Sequence, residues 1–194
     1  FGGSVTATIA RNGDLLSRLW IDCDPGEVLS SSGGTPHFAP NPLHQLLKEV
    51  SVEIGGQQID KIYNHWLNVW TELTEKVHVS LLGDDGKLRT SDFTPAGTDT
   101  SGGEVIRAPS KYQRMAFAVK SNKTLNVQAV DESYASVPLP FWFCRNPGLA
   151  LPLIALQYHE VKIKITFDIL TNVVSSNGNG SLSSVELWAD YVYL

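Results

Sequence analysis

Cysteine is scarce in this chain of 194 residues: there are two, Cys23 and Cys144. Two thiols cannot build a disulfide scaffold, and their spacing matches no metal-binding pattern. Basic charge is also short, with 15 Lys+Arg against 20 Asp+Glu and a net charge of -5. That balance provides no electrostatic footprint for phosphate, which argues against nonspecific nucleic-acid binding. A clean apolar run is missing too. The richest stretch, Val137 to Leu156, carries Pro138, Pro140, Pro147 and Pro152, with Arg145 and Asn146 in its middle. No membrane-spanning helix is made that way. Arg11, Asp14 and Arg18 likewise break any signal-peptide core near the start. With Phe1 first and a single methionine, Met115, the chain reads as a piece of a longer protein.

What is present is apolar content: 42% hydrophobic residues and 18% charged. This is a folding composition, and 194 residues suit one domain with a real core, spanning 1–194. Most of its patterning has period two. Val5, Ala7 and Ile9 alternate with Thr6 and Thr8, and Arg11-Asn12-Gly13-Asp14 reads as a turn. Leu19, Ile21 and Cys23 share a second face. Val28 to Pro42 is Ser/Gly/Pro-rich loop, and Leu43 to Lys48 suits a short helical turn. Val50, Val52 and Ile54 lead into Gly55-Gly56, a pair that supplies the positive φ angles of a tight hairpin.

One helix is expected, from Asn64 onward, with Ile62, Trp66, Trp70, Leu73 and Val77 as its buried stripe. Paired tryptophans at that spacing read as core packing rather than a ligand box. Gly83 to Ser110 is loop-like. Strands are then expected through Met115, Phe117 and Val119, through Leu125, Val127 and Ala129, and through Phe141 and Phe143. Val161, Ile163, Ile165, Phe167 and Ile169 form the cleanest alternation, and Val185 to Leu194 closes the chain as a strand apolar on both faces. About ten strands, one short helix and long loops predict an all-β antiparallel sandwich or barrel.

Reactive residues do not converge in the sequence. The five histidines, His37, His44, His65, His78 and His159, lack metal-ligand spacing. Gly83 to Lys87 has neither the glycine spacing nor the following hydroxyl of a phosphate loop. No Gly-x-Ser-x-Gly elbow occurs. Cys144 beside Arg145 suggests a lowered thiol pKa, but Phe141, Trp142 and Phe143 favour a packed thiol. Tyr158-His159-Glu160 sets a base beside an acid, yet strand neighbours point to opposite faces. Two glycosylation triplets start at Asn122 and Asn179, both in expected turns, and serve as surface markers. The expectation is no enzyme, no metal and no cofactor.

Four blocks of the chain carry a family resemblance. The run from Leu139 through PFWFCRNPGLALPLIALQYHEVKI to Lys164 resembles a hallmark segment of the major capsid proteins of nucleocytoplasmic large DNA viruses. FGGSVTATIARNGDLL, LLKEVSVEIGGQQIDKIYNHW and VELWADYVYL resemble the same family in the same order. The likeness is greatest to members from algal viruses and iridoviruses.

That resemblance implies a jelly-roll sandwich, the first of two consecutive jelly rolls. Three copies would form a pseudo-hexagonal capsomer, tiling an icosahedral virion shell over an internal membrane. The implied partners are other copies, neighbouring capsomers and minor capsid proteins, without direct nucleic-acid contact. It also implies an early strand before Phe1 and a second jelly roll, both absent from this chain, and an unusually long stretch from Leu81 to Ser136. An isolated piece of this kind is expected to expose a sheet edge and aggregate. The rival reading is a carbohydrate-binding sandwich using Trp20, Trp142 or Trp188 as stacking platforms, which requires them to face solvent.

Overall fold

Alternating apolar residues are the physical basis of the two main sheets, which press their apolar faces together. The computed structural model describes residues 1–23, 37–38, 41–74, 112, 115–116, 135–175 and 184–194. The first sheet has the order β1-β8-β4-β5, formed by β1 (Ser4–Thr8), β8 (Val161–Phe167), β4 (Leu47–Ile54) and β5 (Gln57–Tyr63). The second has the order β10-β2-β6, with β10 (Val185–Val192), β2 (Leu15–Cys23) and β6 (Ala135–Pro138). A short β7 (Leu151–Pro152) also pairs with β2, and β3 (His37–Phe38) pairs with β9 (Val174–Ser175). Every pairing among them is antiparallel. Strands distant in sequence lie side by side, β1 against β8 and β2 against β10. That is the wound-up connectivity of a jelly roll.

The core lies between the sheets. Val161, Ile163, Ile165 and Phe167 of β8 and Val50 and Val52 of β4 meet Leu16, Leu19, Ile21 and Cys23 of β2, all buried. In β2 a register shift opposite Asp190 and Tyr191 lets Leu16 and Leu19 both turn inward. Gly55 and Gly56 take φ angles of 59° and 83°, the hairpin backbone that their sequence predicts.

Several expected elements differ. Phe141 and Phe143 do not lie on a strand: α3 is a helical turn over Trp142–Arg145, entered from an extended Phe141. Both phenylalanines still reach the core, their rings stacked 5.8 Å apart. An extended residue followed by one turn mimics period two, and flanking Pro140 and Pro147 leave no room for a ladder. Met115 is also not in a strand. Ala116 N–H donates to Tyr112 O at 2.8 Å, a helical turn. The strand β8 stops at Phe167 rather than Ile169, which is 52% exposed. There Asp168 Oδ1 accepts from Ile169 N and Asn172 Nδ2, turning the chain into α4 (Leu170–Val173).

The helical turn expected near Leu43 is α1 (Pro42–Leu46), and strand pairing takes over at Leu47. The longer helix is α2 (Asn64–Thr74), and its buried residues are Leu67 and Thr71. Leu73, expected in the stripe, is 75% exposed, while Trp66 and Trp70 are half-buried. The final strand is apolar on both faces, as its residues predict, but one face alone is covered: Val185, Leu187, Ala189 and Tyr191 lean on the core, and Trp188 and Val192 are exposed. Val5, placed on the inner face by pairing with Ile165, remains 55% exposed. His78, Gly83 to Ser110, the segments around Phe117 and Leu125, Asn122 and Asn179 lie outside the described residues.

Candidate functional site

The clearest reactive candidate of the sequence, Cys144, sits half-buried on α3. Burial pushes its thiol up to about 11, and the neighbouring Arg145 opposes this only weakly. A thiol held protonated is no nucleophile. Arg145 is itself engaged: its guanidinium lies 4.7 Å over the Trp70 ring and 5.6 Å over Trp66, and its Nε donates to Pro140 O.

The Tyr158-His159-Glu160 neighbours do not converge. Tyr158 is 88% exposed, Glu160 pairs with Lys162 at 2.8 Å, and His159 lies over the hairpin glycine Gly55. Arg11 Nη2 donates to Leu156 O and His159 O and so straps this connection to the first turn. Asp14 does the same for the other end of the chain. Its N–H donates to Val192 O, its carbonyl accepts from Leu153 N, and its Oδ2 accepts from Leu194 N. These are structural duties.

Among the described residues, two concavities stand out. One, of about 600 Å³, lies between α2 and the outer face of the β10-β2-β6 sheet, walled by Arg18, Trp20, Trp70, Tyr112 and Arg145. The other, of about 390 Å³, opens between the edge strands β1 and β10 and is walled by Phe1, Val5, Ile165, Val185 and Leu187. The second is the mouth of the sandwich, lined by inward-facing apolar residues.

The tryptophans divide between the two faces. Register sets Trp20 opposite Trp188 on the outer face, with Trp20 half-buried and the Trp188 indole donating to Glu186. Trp142 instead packs edge-on against Phe143 at 4.9 Å. A site that sequence reasoning missed surrounds His44, which is fully buried and held by Asn68 and Tyr112. Only the lone histidine in an apolar segment hinted at it. Among the described residues no group of three or more His, Cys, Asp or Glu is arranged to hold a metal, and no helix is long and apolar enough to cross a membrane.

Two sheets in this strand order define a jelly-roll domain, an architecture used by viral shells and by lectins. The chain belongs to the major capsid protein family: the model described as major capsid protein N-terminus matches residues 1–194. A major capsid protein of Pyramimonas orientalis virus is 40% identical over 194 residues, covering 100% of this chain and 41% of that protein. The major capsid protein of Paramecium bursaria Chlorella virus 1 is 34% identical over 201 residues, covering 100% of this chain and 37% of the relative. Among solved structures, PBCV-1 VP54, fitted into a reconstruction of the virophage Sputnik, matches with a TM-score of 0.61 and 31% identity. That match covers 100% of this chain and 39% of the solved one. The chain thus spans about two-fifths of the length of these relatives.

Proposed function

We propose that this chain is the first jelly roll of a structural shell subunit, three copies of which make a pseudo-hexagonal capsomer that tiles an icosahedral capsid. The observation that carries the reading is membership of the major capsid protein family along the whole of residues 1–194. The physical design agrees with it. Among the described residues, the domain spends its side chains on a continuous core and on straps such as Arg11 and Asp14.

The mouth between β1 and β10 supports a further part of the proposal. Among the described residues both strands are sheet edges, and Val5, Val185 and Leu187 face a gap that an added strand beside β10 fits. Neighbouring capsomers, minor capsid proteins and an underlying membrane are the surroundings this role implies. The deciding experiment is light scattering after size exclusion on the complete chain. A trimer is expected; a stable monomer overturns the capsomer reading.

A further inference from the structure

His44 is 0% exposed, and both of its ring nitrogens are in use. Nδ1 lies 2.8 Å from Asn68 Oδ1 on α2, and Nε2 lies 2.9 Å from the Tyr112 hydroxyl. The same Asn68 oxygen accepts from Asn41 Nδ2 at 2.9 Å, which marks it as the acceptor. The ring proton therefore sits on Nδ1, and Nε2 accepts from the Tyr112 hydroxyl. Thr71 Oγ1 adds a contact of 3.2 Å to that hydroxyl and donates to Leu67 O at 2.8 Å. One neutral imidazole thus ties α1, α2 and Tyr112 together, across 68 residues of sequence in the longest step.

We propose that His44 is an acid-sensitive latch: neutral, it holds α2 and Tyr112 to α1, and protonated, it places a cation in this buried corner of the sandwich and loosens it. A proton on Nε2 points at a hydroxyl that already directs its own proton along the same line. Tyr112 must then turn its O–H away, and a cation is left in a buried site. Among the described residues, the groups on the surrounding elements do not balance that charge. On α2, His65 and Glu72 are exposed. Near α4, Asp168 is occupied by Ile169 N and Asn172 Nδ2, and on β4, Glu49 is paired with Lys61 at 2.8 Å while Lys48 is exposed. Among the described residues, the only other titratable group bonded to the ring is Tyr112 itself.

Burial accordingly holds His44 below its ordinary value of 6.5, with the Asn68 hydrogen bond opposing more weakly. The unfolded chain binds this proton more readily than the native one. Stability therefore rises with pH through the window below 6.5 and falls as acid is added.

The test is thermal unfolding of the full chain from about pH 7.5 to about pH 5, beside hydrogen exchange of α1 and α2 corrected for intrinsic rates. In the unaltered chain the exchange of these amides is expected to rise several-fold on acidification. His44→Gln is expected to flatten that response. Asn68→Asp, which sets a carboxylate against Nδ1, is expected to reverse the slope of stability with pH by favouring the imidazolium. An unchanged pH response in His44→Gln overturns the latch. Should that variant fail to fold, an unchanged slope in Asn68→Asp overturns it instead.

Discussion

The guanidinium of Arg145 sits 4.7 Å from the Trp70 ring centroid, while its Nε donates to Pro140 O at 2.9 Å. One side chain therefore joins α3, the preceding turn and the tryptophan face of α2. Arg145→Ala is expected to cost about 1–2 kcal/mol, the sum of a surface cation–π contact and one hydrogen bond. Arg145→Lys keeps the charge but loses the guanidinium plane and the Nε donor, so denaturant titration should place it between the two. Equal stability of all three forms would show that the contact contributes nothing.

The two hairpin glycines differ in their surroundings. Gly56 has open space where a Cβ would stand, whereas a Cβ on Gly55 would meet His159 Nδ1 at 2.7 Å. Both have positive φ, so alanine at either position is expected to cost about 1–2 kcal/mol from backbone strain alone. Gly55→Ala should lose more than Gly56→Ala, and His159→Ala should remove only that excess. A double-mutant cycle on melting temperature measures it.

The face of α2 can be read by truncation. Leu67 is 2% exposed and Leu73 is 75% exposed. Leu67→Ala is expected to lose about 2–5 kcal/mol through the cavity it opens. Leu73→Ala should stay within about 0.5 kcal/mol of the parent, as exposed substitutions do. Equilibrium unfolding that ranks them the other way would restore the stripe through Leu73.

Cys144 should resist alkylation at neutral pH. With its thiol pushed up to about 11, the thiolate at about pH 8 is on the order of one part in a thousand. Labelling with iodoacetamide, followed by mass spectrometry, is expected to accelerate about tenfold for each pH unit until that value is approached. Rapid labelling at neutral pH would mean that the side chain leaves its pocket.

Much of the sheet structure was legible before any coordinates. The alternation from Val161 to Phe167 and the Gly55-Gly56 turn appear where their residues predict them, because backbone pleat and positive φ leave direct marks on residue choice. The errors have one physical form. Phe141 and Phe143 share a face on a strand, and they also do so when an extended residue precedes a single helical turn, so spacing alone cannot separate the two. The α2 stripe fails at Leu73, which is 75% exposed, whereas Trp66 does pack against the core and Leu67 and Thr71 supply the buried face. His44 left almost no signal, since its partners Asn68 and Tyr112 follow no period relative to it.

By itself, the order of residues determined the antiparallel sandwich, its hairpins and its likeness to capsid proteins, because local patterning and whole blocks of sequence survive without knowledge of contacts. Tertiary structure alone decided which inward residues are covered. Val5 and Ile165 are paired neighbours on one face, yet Val5 is 55% exposed and Ile165 is 4% exposed, since among the described residues only the latter has another strand beyond it. Burial is a property of the neighbours that a fold brings together, and a residue's own position in a pattern fixes only the direction in which it points.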